Sequence, residues 1–214
     1  MKIPFTIDQF LGVFEAYNLA IQPAQIMAYL LGAVVVVAAF KGGKYSGKIV
    51  FFILAILWAW VGIVYHLIFF REINPAAYLF GILYIIQSIL FVYAGFKYTD
   101  LQFKYQATVS TAVGVIFMVY ALIIYPVLNY SFGHAYPKMP VFGVTPCPLT
   151  IFTFGILLCS TRKVPLFLIA IPFIWSIIGL SAAMSLKIVE DFGLIIAGVV
   201  GALLIAFKPH QATT

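Results

Sequence analysis

Apolar runs separated by short polar turns repeat along almost the whole chain. They fall near residues 23–40, 48–70, 75–96, 106–128, 146–160, 164–185 and 190–207. All but the fifth approach the length a helix needs to cross ~30 Å of hydrocarbon. The period-two alternation of a membrane barrel is missing, and backbone groups in lipid need internal partners. Helices are therefore the expected form of every run. Residues 1–214 read as one all-α integral membrane domain with seven transmembrane helices.

The stretch before the first run has a different pattern. Thr6-Ile7-Asp8-Gln9 has capping-box spacing, and Phe10, Leu11, Phe14 and Tyr17 follow at helical intervals. Asp8, Gln9, Glu15 and Asn18 fall largely elsewhere on the same helix. The pattern predicts a short interfacial helix over 6–18, expected to anchor the chain rather than to dock as a lid. No apolar run here leads to a small-residue cleavage site, so no cleaved signal peptide is expected.

Within the long runs, small residues recur at Ala55, Ala59 and Gly62, at Gly81, Ser88 and Gly95, and at Gly193, Ala197 and Gly201. Such stripes let helix backbones approach closely. Asn74-Pro75 is expected to start the third span and Pro165 the sixth.

Composition agrees with the pattern: 64% of residues are hydrophobic and 8% charged. The net charge of +6 is the Lys/Arg excess of cytoplasmic membrane loops, so the expected partner is the lipid bilayer and not nucleic acid. Turns at one end carry Lys41, Lys44, Lys48, Lys97, Lys104, Arg162, Lys163 and Lys208 against Asp100 alone. Turns at the other end carry Lys2, Arg71, Lys138 and Lys187 against Asp8, Glu15, Glu72, Glu190 and Asp191. The first set should face the cytoplasm, which puts the N-terminus outside and the protein in the cell inner membrane.

Several functions are disfavoured. Acids and bases sit only near the ends of the runs, which speaks against an intramembrane proton relay. The last run has no mid-depth lysine for a retinal Schiff base, and bis-imidazole haem ligation would need His134 to reach down from its loop. Neither retinal nor haem is expected. His210, in the tail, reads as solvated. Cys147 and Cys159 would lie ~18 Å apart along one helix, too far for a disulfide.

The fifth run is the anomaly. Pro148–Ser160 gives only ~20 Å of helix, and Val144-Thr145-Pro146-Cys147-Pro148 must cover the rest. Two prolines suggest an unwound Pro-Cys-Pro lead-in, tolerated at membrane depth only inside protein or along a cavity. The helix start would then aim its positive dipole, with Cys147 on it, at an outward vestibule. His66, near the outer end of the second run, comes out at similar depth. It reads either as an interhelical hydrogen-bonding group or as a ligand.

The run Gly133-His134…Tyr136-Pro137 followed by Phe142-Gly143-Val144-Thr145-Pro146-Cys147-Pro148…Thr150-Ile151-Phe152-Thr153-Phe154-Gly155 resembles a family of small bacterial multi-pass membrane proteins of unknown function. The resemblance extends to Phe5-Thr6, Gln9-Phe10, Pro23-Ala24-Gln25, Trp58-Ala59-Trp60, Tyr65-His66 and Ile73-Asn74-Pro75-Ala76-Ala77. It implies no activity. Leu149 stands where the pattern leads one to expect a second threonine.

The resulting expectation is an outward-facing ligand site built from Cys147, His66, His134, Thr145, Tyr136 and Thr150, serving binding or facilitated transport of a small solute or metal ion. Thiolate and imidazole would suit a soft or borderline metal on Cys147, His66 and His134, and a small anion would suit the helix start. The alternatives are a structural or accessory subunit packed against other membrane subunits, and a membrane thiol or redox enzyme using Cys147 with a histidine base. Binding is favoured over catalysis.

Overall fold

The computed structural model describes residues 4–186 and 188–208; Lys2, Lys187 and His210 lie outside the described residues. The helices in chain order are α1 (Ile7–Ala20), α2 (Ala24–Lys41), α3 (Ser46–Glu72), α4 (Ala77–Lys97), α5 (Val109–Ser131), α6 (Pro146–Leu158), α7 (Phe167–Leu186) and α8 (Val189–Ala206). Six of them, α2 to α5, α7 and α8, are long and apolar enough to cross a membrane. Together with the composition this makes the chain an all-helical membrane protein.

The shorter α6 is the centre of the bundle. Apart from Cys147, every residue of this helix is buried, whereas the long helices each expose apolar faces. It packs against α2, α3, α5, α7 and α8. A helix apolar all round belongs inside a bundle.

The expected unwound lead-in is corrected: Pro146, Cys147 and Pro148 form the first turn of α6, with Thr145 as the N-cap residue. First-turn N–H groups have no intrahelical acceptor, so a proline there forfeits nothing and its fixed φ suits the helix.

The irregular backbone lies just upstream, where residues 139–145 run buried and non-helical into the bundle. The carbonyls of Met139, Val141 and Val144 have partners. Tyr17 Oη donates to Val144 O at 2.6 Å, and Asn18 Nδ2 donates to Pro137 O at 2.7 Å and Met139 O at 2.8 Å. Thr145 donates from both N and Oγ1 to Val141 O. Gly143 sits at φ 76° against Ala28, where a Cβ would stand 2.8 Å from the Ala28 Cβ.

Those bonds explain why α1 is more than an anchor. Its capping box is present, Thr6 Oγ1 accepting from Gln9 N and Gln9 Oε1 from Thr6 N. The face carrying Val13, Phe14, Tyr17 and Asn18 is buried. Phe14 stacks on Tyr65 at 5.7 Å, and Tyr17 meets Tyr65 and Phe69 edge-on. The helix is docked across one end of the bundle, because the residues read as its polar side include one that the re-entering chain requires.

Small residues set the tightest crossings. A Cβ on Gly62 would stand 3.0 Å from Gly81 O, and one on Gly81 would stand 2.9 Å from Gly62 O. Ser88 Oγ donates to Ala55 O at 2.8 Å across the same α3–α4 contact. Gly114 and Gly155 make the equivalent approach between α5 and α6. Two helices carry wide π-helical stretches, Val61–Phe69 in α3 and Tyr120–Ile124 in α5. The first holds Tyr65 and His66; such stretches in α-helices are frequent at functional sites. α4 starts at Ala77, later than Asn74-Pro75 suggests, with Asn74 Oδ1 accepting from Ala76 N.

The end opposite α1 is closed beneath α6. Phe103 bridges to Ser160, Lys104 N donates to Cys159 O, and Thr161 N donates to Gln102 O. Lys208 Nζ donates to Ser160 O.

Candidate ligand-binding site

A cavity of about 260 Å³ opens at the α1 end of the bundle. Its wall is rich in aromatic residues: Phe5, Phe10 and Phe14 from α1 and its lead-in, Tyr65 and Phe70 from α3, Phe80 from α4 and Trp175 from α7. Pro146 and Cys147 come from the start of α6, and Asp191 from the start of α8. Asn74 and Ser181 add polar groups. The lining includes no Lys, Arg or His among the described residues.

The acids were missed by sequence reasoning. Glu190 and Asp191 read as loop charges, yet they are 1% and 3% exposed in the single turn that opens α8. The signal was their position at the very start of an apolar run, where a carboxylate meets the positive end of a helix. Tyr125 Oη donates to Asp191 Oδ1 at 2.5 Å, and Tyr120 Oη donates to Glu190 O at 2.7 Å. His134 Nδ1 lies 3.0 Å from Glu190 Oε1, leaving Glu190 Oε2 without a partner among the described residues. The Cys147 sulfur faces both the Asp191 carboxylate and the Trp175 indole. The Trp175 Nε1–H has no hydrogen-bonded oxygen or nitrogen partner among the described residues.

Of the six residues the sequence singled out, Cys147 lines the cavity. His134 does not line it and pairs instead with Glu190, the residue before Asp191. Thr145 Oγ1 is turned to Val141 O, and Thr150 Oγ1 to Pro146 O and the Tyr84 hydroxyl at 3.1 Å. Tyr136 is exposed, its hydroxyl accepting from Gln22 Nε2 on the outside of the α1 end.

His66 is fully buried behind the aromatic wall, and neither ring nitrogen has a partner among the described residues. The rings of Tyr65, Phe70, Phe80, Tyr84 and Trp175 surround it at 4.9–5.9 Å. The interhelical hydrogen bond considered for it is not formed.

These placements bear on the chemistry. Among the described residues, no three His, Cys, Asp or Glu side chains gather as a metal ion needs, so Cys147, His66 and His134 are not a common ligand set. Neither is the start of α6 a strong anion site. Pro146 and Pro148 carry no N–H, and the Asp191 carboxylate lies beside Cys147. What remains is an aromatic pocket with one acidic floor.

Residues 7–213 match a protein family described as a family of unknown function, DUF6064. The chain belongs to this family. No curated protein and no solved structure matches it. The family adds no activity to the geometry, so the cavity itself has to carry the functional argument.

Proposed function

We propose that the protein binds a small solute in the cavity at its α1 end, with Cys147 and Asp191 at the floor. In this reading α6 is a short fifth span between six longer ones, the N-terminus and the cavity face outward, and the protein sits in the inner membrane. The Lys/Arg excess at the opposite end supports that orientation. The observation that carries the proposal is the shape and chemistry of the pocket: a concave apolar wall with a few converging polar groups is the usual form of a small-molecule site. Closure of the opposite end by Ser160, Phe103 and Lys208 favours binding, or passage gated by a conformational change, over an open pore.

A thermal-shift panel of small cationic, neutral and anionic amphiphiles tests the reading. At least one class should raise the Tm of the full chain in micelles. The shift should disappear in Ala182→Trp, which fills the cavity from its wall. No shift with any class, or a shift indifferent to the filling, would contradict solute binding here.

A further inference from the structure

The cavity has a charge character as well as a shape. Its one oxyacid among the described residues is Asp191, which has a hydroxyl and a thiol beside it and forms no ion pair; the basic group acting on it, His134, is paired with Glu190. The preceding residue, Glu190, has its Oε1 matched by His134 and its Oε2 by nothing among the described residues. The Tyr125 hydroxyl donates to the Asp191 carboxyl, while its burial disfavours the charged form. A buried carboxylate without a counter-charge is costly, and a cation in the cavity would supply one.

The wall selects the same sign. Aromatic faces attract cations through their quadrupole, tryptophan most strongly, and the effect grows when water is excluded. Trp175 is 7% exposed, and it and Asp191 both neighbour the Cys147 sulfur. Ammonium groups carrying alkyl substituents suit such a site best, because their poorly hydrated surface is apolar while their charge remains. An inorganic cation would find too few oxygen ligands, and an anion would meet the Asp191 carboxyl beside an α6 start whose two prolines carry no N–H. A neutral chain would fill the wall and leave Asp191 unmatched.

We propose that the cavity takes a small alkylated organic cation, its ammonium group seated against Asp191 and Trp175 and its body against Phe10, Phe70 and Phe80. This names the solute class of the site proposed above and rests on that reading.

The test is equilibrium dialysis of the full chain in nanodiscs against three probes of one shape and different charge: choline, 3,3-dimethylbutan-1-ol and 3,3-dimethylbutanoate, each corrected for empty nanodiscs. Choline should be retained about tenfold or more over the neutral alcohol, and the anion least. Asp191→Asn keeps an acceptor for Tyr125 and should abolish the preference for charge. Trp175→Leu should weaken choline several-fold, and it decides the matter if Asp191→Asn does not fold. Equal or better retention of the alcohol overturns the cation proposal and leaves the binding pocket standing. Retention of none of the three also overturns it, the pocket being judged separately by the thermal-shift panel. A choline preference intact in both variants places the cation elsewhere and overturns the assignment.

Discussion

Tyr125 and Asp191 are joined by a 2.5 Å hydrogen bond that ties α5 to the start of α8 at the cavity floor. Both groups are buried, so the bond fixes where the carboxylate points as well as holding two helices together. Tyr125→Phe removes the donor and leaves the acceptor in place. The expected result is a loss of about 1–3 kcal/mol in a denaturant titration of the purified protein, together with weaker solute binding. Unchanged values for both would mean that Asp191 is positioned by something else.

The α5–α6 crossing should be intolerant of a single methyl group. A Cβ on Gly155 would stand 2.7 Å from Gly114 O, a backbone atom that cannot rotate away. Gly155→Ala should therefore destabilise by roughly 1–3 kcal/mol. Gly12 in α1 has open space around it, and Gly12→Ala should stabilise by up to about 1 kcal/mol through helix propensity. The same sign for both substitutions would contradict the packing described.

His66 separates a metal or hydrogen-bonding role from an aromatic one. With neither ring nitrogen partnered among the described residues, His66→Phe keeps the ring and discards unmatched polar atoms. Stability should hold or rise by about 1 kcal/mol, whereas His66→Ala should cost about 2–5 kcal/mol by opening a hole. If the phenylalanine variant fared as badly as the alanine one, the histidine nitrogens would have a function that this arrangement does not provide.

The sequence carried the architecture further than the site. Six helices were legible from run length alone, because lipid requires it, and the Gly62–Gly81 approach was legible from small residues at helical spacing. The special status of 133–155 was also visible, yet its geometry was misjudged. Prolines at 146 and 148 read as helix breakers, whereas their place in the first turn makes them compatible with a helix that starts at once. The irregular backbone lies at 139–145 and is held by Tyr17 and Asn18, more than a hundred residues away, which no local pattern could reveal. Glu190 and Asp191 were read as turn charges for the same reason: their place near a helix end shows nothing of burial, and only the tertiary fold turns these two inward.

Orientation is open to direct measurement. Reporter fusions at residues 45 and 162 should read as cytoplasmic and a fusion at residue 135 as external, as the Lys/Arg distribution requires. An external reading at residue 45 or residue 162 would invert the protein and turn the cavity toward the cytoplasm.

The central claim is that a small solute occupies the cavity between α1, α3, α7 and the start of α6. Photolabelling with a diazirine-bearing small amphiphile, followed by mass spectrometry of the full chain, tests it most directly. Adducts that unlabelled compound competes away should fall on Phe10, Phe70, Cys147 and Trp175, which line the cavity. Adducts confined to bilayer-facing positions such as Ile26, Leu30 and Ile86, with no competition, would contradict it.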